Sequence, residues 1–171
     1  MAVDPQYPIG RVSYGDFTAA AKEVCVRAIR DLPVQLDHAL ENLNEAHLHE
    51  PYRVNGWTPN QIIHHLADSH MNAFIRFKLA LYEENPTVKP YDQNVWAEAH
   101  DVSCVPCNVS ITLLHALHRR WVILLEPLGE LDLMRCFYHP EQEKDVPLWE
   151  VLQYYAWHGK HHATQIANII R

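Results

Sequence analysis

The chain has 171 residues, of which 48% are hydrophobic and 20% are charged, and this length and composition fit one globular domain with a sizeable core. A net charge of −7 and the lack of any Lys/Arg cluster argue against a nucleic-acid partner, because phosphate binding needs a basic surface. Neither a run of about 18 apolar residues nor a signal peptide is present, so we expect a single-domain cytoplasmic protein spanning residues 1–171, with no membrane partner.

Cysteine and histidine usage narrows the chemistry further. Four scattered cysteines are too few for a disulfide framework, so we expect reduced thiols. Thirteen histidines are the outlying number in the composition, and most of them are grouped. The groups are His64, His65 and His70; His115 and His118; and His158, His161 and His162.

Hydrophobic periodicity predicts four long helices. Their expected ranges are 16–44, 58–83, 110–126 and from about 147 to the C-terminus. The second has the clearest start, because Thr58 is placed to cap it, Pro59 occupies its first position and Gln61 completes a capping box. Pro33 predicts a kink in the first. Four helices of this length predict an all-α fold, a four-helix bundle with long connecting loops.

Two of the connections are long enough to carry function. The segment 84–109 contains three prolines and a short helical pattern around "NVWAEA", and its aromatic residues Tyr91 and Trp96 favour an ordered lid. The other connection includes "CFYHPEQEKDVPL", which predicts a short extended hairpin.

The histidines of "WHGKHHATQI" do not all point the same way. At 100° per residue, His162 lies about 40° and His158 about 80° from the centre of the helix's apolar face, whereas His161 lies about 140° away and is expected to face outward. His158 and His162 are four residues apart, so both imidazoles can reach one metal ion. A single inward histidine is usually a core residue, but two at this spacing favour a metal site whose third ligand comes from another helix.

The second helix offers candidates for that third ligand. His65 lies on a polar stripe that continues through Asn72 and Arg76, and these two residues are placed to bind a polar or anionic substrate group. His64 points about 100° further round the helix, and periodicity favours His65 only slightly over it. His70 lies on the apolar side and is expected to be a buried structural histidine.

Several motifs together resemble one known family. They are "NGWTPNQIIHHLADSHMNAFIRFKLAL", "KPYDQNVW", "LHRRW", "FYHP" and "WHGKHH", and in this order they are similar to the YfiT group of the DinB superfamily. The resemblance implies an all-α four-helix bundle, a homodimer, and one zinc or nickel ion per chain bound by three histidines. The family's "HL" and "HxxxH" motifs match His65, His158 and His162.

Three functions are compatible with this ligand set. The resemblance implies a metal-dependent hydrolase that uses activated water, or a bacillithiol-type S-transferase that uses a low-molecular-weight thiol, acting on a small-molecule substrate in either case. A metal-stabilised binding bundle without catalysis is the third possibility. A fourth protein ligand such as His118 or His100 would favour that third function, and an open coordination position would favour an enzyme.

Two further features have no settled role. No catalytic residue is identified beyond the nucleophile bound to the ion. His118 in "LHRRW" is either a base that acts from behind the metal ligands, a residue that orients one of those ligands, or a structural histidine. The "CVPC" stretch, Cys104 to Cys107, is not part of the family resemblance. It is similar to half of a zinc knuckle and to a redox pair of the CxxC type, and the alternative is that it has no functional role.

Overall fold

The computed structural model describes residues 4–169, and it confirms the predicted bundle of four long helices. Four short helices and one hairpin lie in the connections between the long helices. The helices are α1 (Ala19–Leu40), α2 (Glu45–Leu48), α3 (Pro59–Tyr82), α4 (Gln93–Ala97), α5 (His100–Cys104), α6 (Cys107–Leu125), α7 (Glu130–Leu133) and α8 (Leu148–Ala167). Within residues 4–169, no helix is both long and apolar enough to cross a membrane.

The helix ends follow local chemistry. The Thr58 side chain accepts a hydrogen bond from the Gln61 main chain, and the Gln61 side chain accepts one from the Thr58 main chain, so the predicted capping box is confirmed. Helix α1 is shorter than predicted at both ends and retains Pro33 inside it, whereas α6 begins at Cys107, three residues before the predicted start. The last helix, predicted to continue to the C-terminus, ends at Ala167, and residues 170–171 lie outside the described part of the chain.

Both long connections are ordered, as expected. Helices α4 and α5 lie within the segment 84–109, and the rings of Tyr91 and Trp96 pack with their centroids 4.3 Å apart. The predicted hairpin consists of β1 (Cys136–His139) and β2 (Lys144–Pro147), paired antiparallel in the register Phe137 to Val146. Main-chain hydrogen bonds between Tyr138 and residues 86–88 attach this hairpin to the segment after α3.

The apolar core is divided into two clusters along the bundle. One cluster is centred on Trp121 and Phe77, and the other on Leu66 and Leu114. Each of the four long helices contributes residues to both clusters. A layer of buried polar side chains lies where the two clusters meet. This histidine layer consists of His65, Ser69 and His70 from α3, His118 from α6, and His158 and His162 from α8.

Gly159 lets α8 pack closely against α1 within this layer. A Cβ atom added at Gly159 would lie 2.5 Å from Cδ2 and 3.0 Å from Cδ1 of Leu32, which is itself buried. The glycine is buried, and its lack of a side chain makes room for the neighbouring leucine. The position of His158 therefore depends on a close contact made by the next residue along the helix.

We expect Gly159→Ala to lower the free energy of unfolding by about 1–3 kcal/mol, the usual effect of overpacking, although alanine is intrinsically favoured in helices by about 1 kcal/mol. Urea denaturation followed by circular dichroism measures the change. Combining it with Leu32→Val should cost less than the sum of the two single substitutions, because the smaller side chain leaves room for the methyl group. A stabilising effect of Gly159→Ala would contradict the close packing.

Candidate metal centre

The structure brings together the three histidines named from the sequence as metal ligands. His65 comes from α3, and His158 and His162 come from successive turns of α8. One ring nitrogen of each lies within 4.8 Å of the others, and all three side chains are buried. Among the described residues, this is the one group of three or more histidine, cysteine or acidic side chains arranged closely enough to hold an ion.

The spacing of the nitrogens suits a small transition metal. The Nε2 atoms of His65 and His158 are 3.2 Å apart, and two nitrogen ligands of a tetrahedral zinc ion are separated by about 3.3 Å. The rings of His158 and His162 are nearly perpendicular, with centroids 4.5 Å apart. These donors fit a divalent ion.

The electrostatics of the centre favour neutral imidazoles. Burial lowers the pKa of His65 to about 4. Burial, followed by the proximity of the other histidines, lowers the pKa values of His158 and His162 well below their usual range. Neutral imidazole is the form that binds a metal. At neutral pH the three rings are already neutral, so metal binding does not have to compete with protonation.

His64 faces away from this centre. Its Nδ1 atom lies 2.8 Å from the Ser110 hydroxyl and its Nε2 atom lies 3.0 Å from the main-chain oxygen of Val105. Both ring nitrogens are thus engaged by the start of α6, whereas the adjacent His65 points into the bundle. Tertiary contacts therefore show that His65, and not His64, faces the other two histidines, a choice that helical periodicity favoured only slightly.

His118 and His70 form a second tier behind the centre. The Nδ1 atom of His118 donates to the Ile29 main-chain oxygen at 2.5 Å, and its Nε2 atom lies 2.9 Å from Nδ1 of His70. The other nitrogen of His70 lies 3.3 Å from Nδ1 of His158. His118 therefore reaches the three candidate ligands only through His70, a residue that sequence analysis interpreted as structural.

The predicted outward orientation of His161 is wrong. Its side chain is only 6% exposed, because the N-terminal segment 4–10 covers this side of α8. Trp157, stacked on His161 with ring centroids 4.5 Å apart, donates through Nε1 to the Gly10 main-chain oxygen, and the Tyr7 ring lies 5.9 Å from His161. Helical periodicity cannot detect a covering segment that is distant in sequence.

Sequence analysis did not single out Gln165, which contacts two histidines. Its Oε1 atom lies 2.8 Å from Nδ1 of His162. Its Nε2 atom donates to the Gln6 main-chain oxygen at 3.1 Å and lies 3.0 Å from Nε2 of His161. The spacing of three residues from His162 was the one available signal for this contact.

Two cavities lie on either side of Tyr154. The metal-side cavity, of about 320 Å³, reaches the three candidate ligands and is otherwise largely aromatic and amide-lined. Its aromatic walls are Tyr7, Tyr52, Trp57, Tyr154 and Trp157. The hairpin cavity, of about 690 Å³, lies against β1 and β2, and the two cavities share Gln93 and Tyr154. A small molecule can therefore be held beside the ion position.

The structure separates the two residues expected to bind substrate. Arg76 lines the hairpin cavity, where its guanidinium also donates to the Lys89 main-chain oxygen at 3.2 Å. Asn72 lines neither of the two cavities and donates to the main-chain oxygen of Asp68, one turn earlier on α3. The structure thus gives no support for Asn72 as a substrate-binding residue, because its amide is engaged by its own helix.

The cysteine pair does not assemble a second site among the described residues. Cys104 is exposed at the end of α5, with its sulfur 3.6 Å from both ring nitrogens of His100, and Cys107 is buried at the start of α6. All four cysteines are free thiols, as expected.

The buried histidines make stability depend on pH. Their pKa values are lower in the folded protein than the value of about 6.5 in an unfolded chain, so acid protonates the unfolded chain first. We expect the metal-free protein to keep its full free energy of unfolding above about pH 6.5 and to lose part of it progressively as the pH falls towards about 4. Urea denaturation at about pH 7.5 and about pH 5 measures this loss, and equal stabilities would contradict neutral burial of the cluster.

Comparisons with known proteins agree with this architecture. Residues 28–166 match the family model described as the DinB superfamily. Proteins of Bacillus mycoides (strain KBAB4) and Oceanobacillus iheyensis, both bearing the name "Putative metal-dependent hydrolase", are 46% identical over 167 residues and 44% identical over 170 residues. The alignments cover 97% of this chain and 95% of the first relative, and 99% of this chain and 98% of the second.

A solved structure is similar over almost the same length. It is YfiT from Bacillus subtilis, described as "a probable metal-dependent hydrolase with an unusual four-helix bundle topology". It superposes with a TM-score of 0.92 at 38% sequence identity, covering 96% of this chain and 95% of YfiT. The resemblance seen in the motifs is confirmed, and the chain belongs to the DinB superfamily.

Proposed function

We propose that this protein is a metal-dependent hydrolase in which His65, His158 and His162 hold one zinc or nickel ion. The observation that carries the proposal is the convergence of three buried, neutral imidazoles at one end of an aromatic cavity. The names of the relatives and of YfiT support the same general activity.

The three imidazoles bring no negative charge to the ion. A divalent ion there would lower the pKa of a water or thiol in its free coordination position and would stabilise negative charge developing on a substrate oxygen. The histidines would hold that chemistry at the metal-side cavity, whose walls include Trp57 and Tyr154.

A non-catalytic, structural ion is less compatible with this geometry. Such a site needs a fourth protein ligand, for which the sequence offered His118 and His100. His118 instead contacts His70 and Ile29, and His100 lies beside Cys104 in the segment before α6. Among the described residues, neither completes a tetrahedron, which supports an open coordination position.

Metal analysis of the purified, unchelated protein tests the proposal. We expect about one zinc or nickel per chain, lost in His158→Ala/His162→Ala because a single remaining imidazole cannot retain the ion. The matched control is His64→Gln, a change of an equally buried histidine on α3 whose nitrogens contact Ser110 and Val105. A wild-type protein that stays metal-free on titration, or a control that also loses metal, would contradict the proposal.

An S-transferase using a low-molecular-weight thiol is the second candidate. It is favoured by one observation: among the described residues lining the metal-side cavity, there is no aspartate or glutamate to act as a general base for water. A thiol needs less help, since it ionises more readily than water. Turnover of ester and amide substrates by water, compared with thiol addition to electrophiles by the same preparation, distinguishes the two enzymes.

We further propose that the hairpin cavity binds the substrate's body, with Arg76 pairing an anionic group. Arg76→Gln should raise KM for carboxylate-bearing substrates by roughly 10-fold or more, the usual worth of a charge-assisted hydrogen bond, and leave metal content unchanged. Lys144→Gln is the control, because Lys144 already pairs with Glu150 at 2.9 Å. Equal effects of both substitutions, or none, would count against Arg76.

The homodimer implied by the family resemblance stays a prediction. Large exposed apolar side chains on several elements, including Ile123 on α6 and Tyr82 at the end of α3, are available for such an interface. Sedimentation analysis of the purified chain determines its mass in solution.

A further inference from the structure

Behind the candidate ligands, two chains of hydrogen bonds each end on a main-chain carbonyl. The histidine chain runs from Ile29 through His118 and His70 to His158. The glutamine chain runs from Gln6 through Gln165 to His162. Neither His70 nor Gln165 lies in the group of three histidines that could hold an ion.

The direction of the histidine chain follows from its end. A carbonyl oxygen only accepts, so Nδ1 of His118 carries the proton that is donated to Ile29. The Nε2 atom of neutral His118 then accepts, and Nδ1 of His70 must donate to it. The Nε2 atom of neutral His70 in turn accepts from Nδ1 of His158. His158 is thereby left with a lone pair on Nε2, the atom that faces His65 at 3.2 Å.

The glutamine chain has the same outcome. The Gln6 oxygen can only accept, so the amide nitrogen of Gln165 faces it and the amide oxygen faces His162. That oxygen accepts from Nδ1 of His162, and the lone pair of this imidazole is therefore on Nε2. Gln165 also donates its second amide hydrogen towards Nε2 of His161, which holds the amide in this orientation.

Burial removes the competing partners. His70, His118 and Gln165 are almost completely shielded from water, so a reversed tautomer would leave two lone pairs or two N–H groups facing each other without solvent to satisfy them. The same burial disfavours a positive charge on either imidazole, so both rings are neutral.

We propose that His70, with His118 behind it, and Gln165 are positioning residues that fix the Nε2 lone pairs of His158 and His162 towards a common point. That this common point is an ion site rests on the proposed function. Without these hydrogen bonds, a free imidazole favours the tautomer that is protonated at Nε2. The proton of each ligand would then have to move to Nδ1 before the ion could bind. Hydrogen bonds to the second ring nitrogen typically change metal affinity 10–100-fold.

The test compares variants at one position. His70→Leu removes the acceptor for His158, whereas His70→Gln retains one oxygen acceptor and one N–H donor at a similar separation. Leu114→Ala, a fully buried core change on α6 outside both chains, controls for loss of stability alone. Ring-nitrogen NMR of isotope-labelled, metal-free protein reports each histidine tautomer, and competition with a chelator measures Zn²⁺ affinity.

We expect Nδ1 to be the protonated nitrogen of His158 and His162 in the wild type. His70→Leu should lose this preference at His158 but not at His162, and should weaken Zn²⁺ binding about 10–100-fold, whereas His70→Gln and Leu114→Ala should stay near wild type. If His70→Leu fails to fold, His118→Leu interrupts the same chain one residue further from the ligands.

An Nε2-protonated His158 in the wild type, or unchanged tautomer and Zn²⁺ affinity in His70→Leu, would overturn the inference. Wild-type protein with the expected tautomers but no affinity for Zn²⁺ would overturn the proposed function and the ion-directed role together. Expected tautomers with Zn²⁺ bound but no catalysis would leave the positioning role standing and contradict only the enzyme.

Discussion

The burial of a polar layer in the middle of an apolar bundle is the constraint on which the rest of this structure depends. Imidazoles lose favourable contacts with water when they are buried, and each unpaired ring nitrogen destabilises the fold. Here the layer is satisfied from outside it, by a carbonyl of α1 at Ile29 and a carbonyl of the N-terminal segment at Gln6. The packing of α1 against α8 and the course of residues 4–10 therefore determine how the histidines are oriented.

This arrangement separates the rigid part of the site from the part that can vary. The three candidate ligands lie on two long helices, and their rings are held by buried hydrogen bonds and by mutual packing. Much of the remaining cavity lining comes instead from connecting segments, namely residues 52–57, residues 90–94 and the hairpin. Substrate preference can change through these connecting segments without disturbing the ion position, which is how functional loops on a rigid scaffold generally work.

Much of the fold could be predicted because its determinants are local. The capping box at Thr58 and the short hairpin in "CFYHPEQEKDVPL" depend on contacts over a few residues, and both were predicted from the sequence. Helical periodicity also selected His158 and His162. It favoured His65 over His64 only slightly, and the contacts that hold His64, with Val105 and Ser110, come from 41 and 46 residues away.

What periodicity missed has a common physical cause. His161, expected to face outward, is buried by a segment about 150 residues distant in sequence. His70 is buried as expected, but its links to His118 and His158 join three helices, which a helical wheel cannot show. The amide nitrogen of Asn72 likewise donates to Asp68 on its own helix, and the role of Asn72 in substrate binding stays a prediction. Periodicity identifies which face a residue occupies and not which partners complete its hydrogen bonds.

Anomalous X-ray diffraction from crystals of the protein grown with Zn²⁺, recorded on both sides of the zinc absorption edge, tests the central claim most directly. The account predicts one zinc peak per chain, about 2.0–2.1 Å from the Nε2 atoms of His65, His158 and His162, with a non-protein group in the remaining position. No peak between α3 and α8, a peak bound by other residues, or a fourth protein ligand closing the tetrahedron would contradict it.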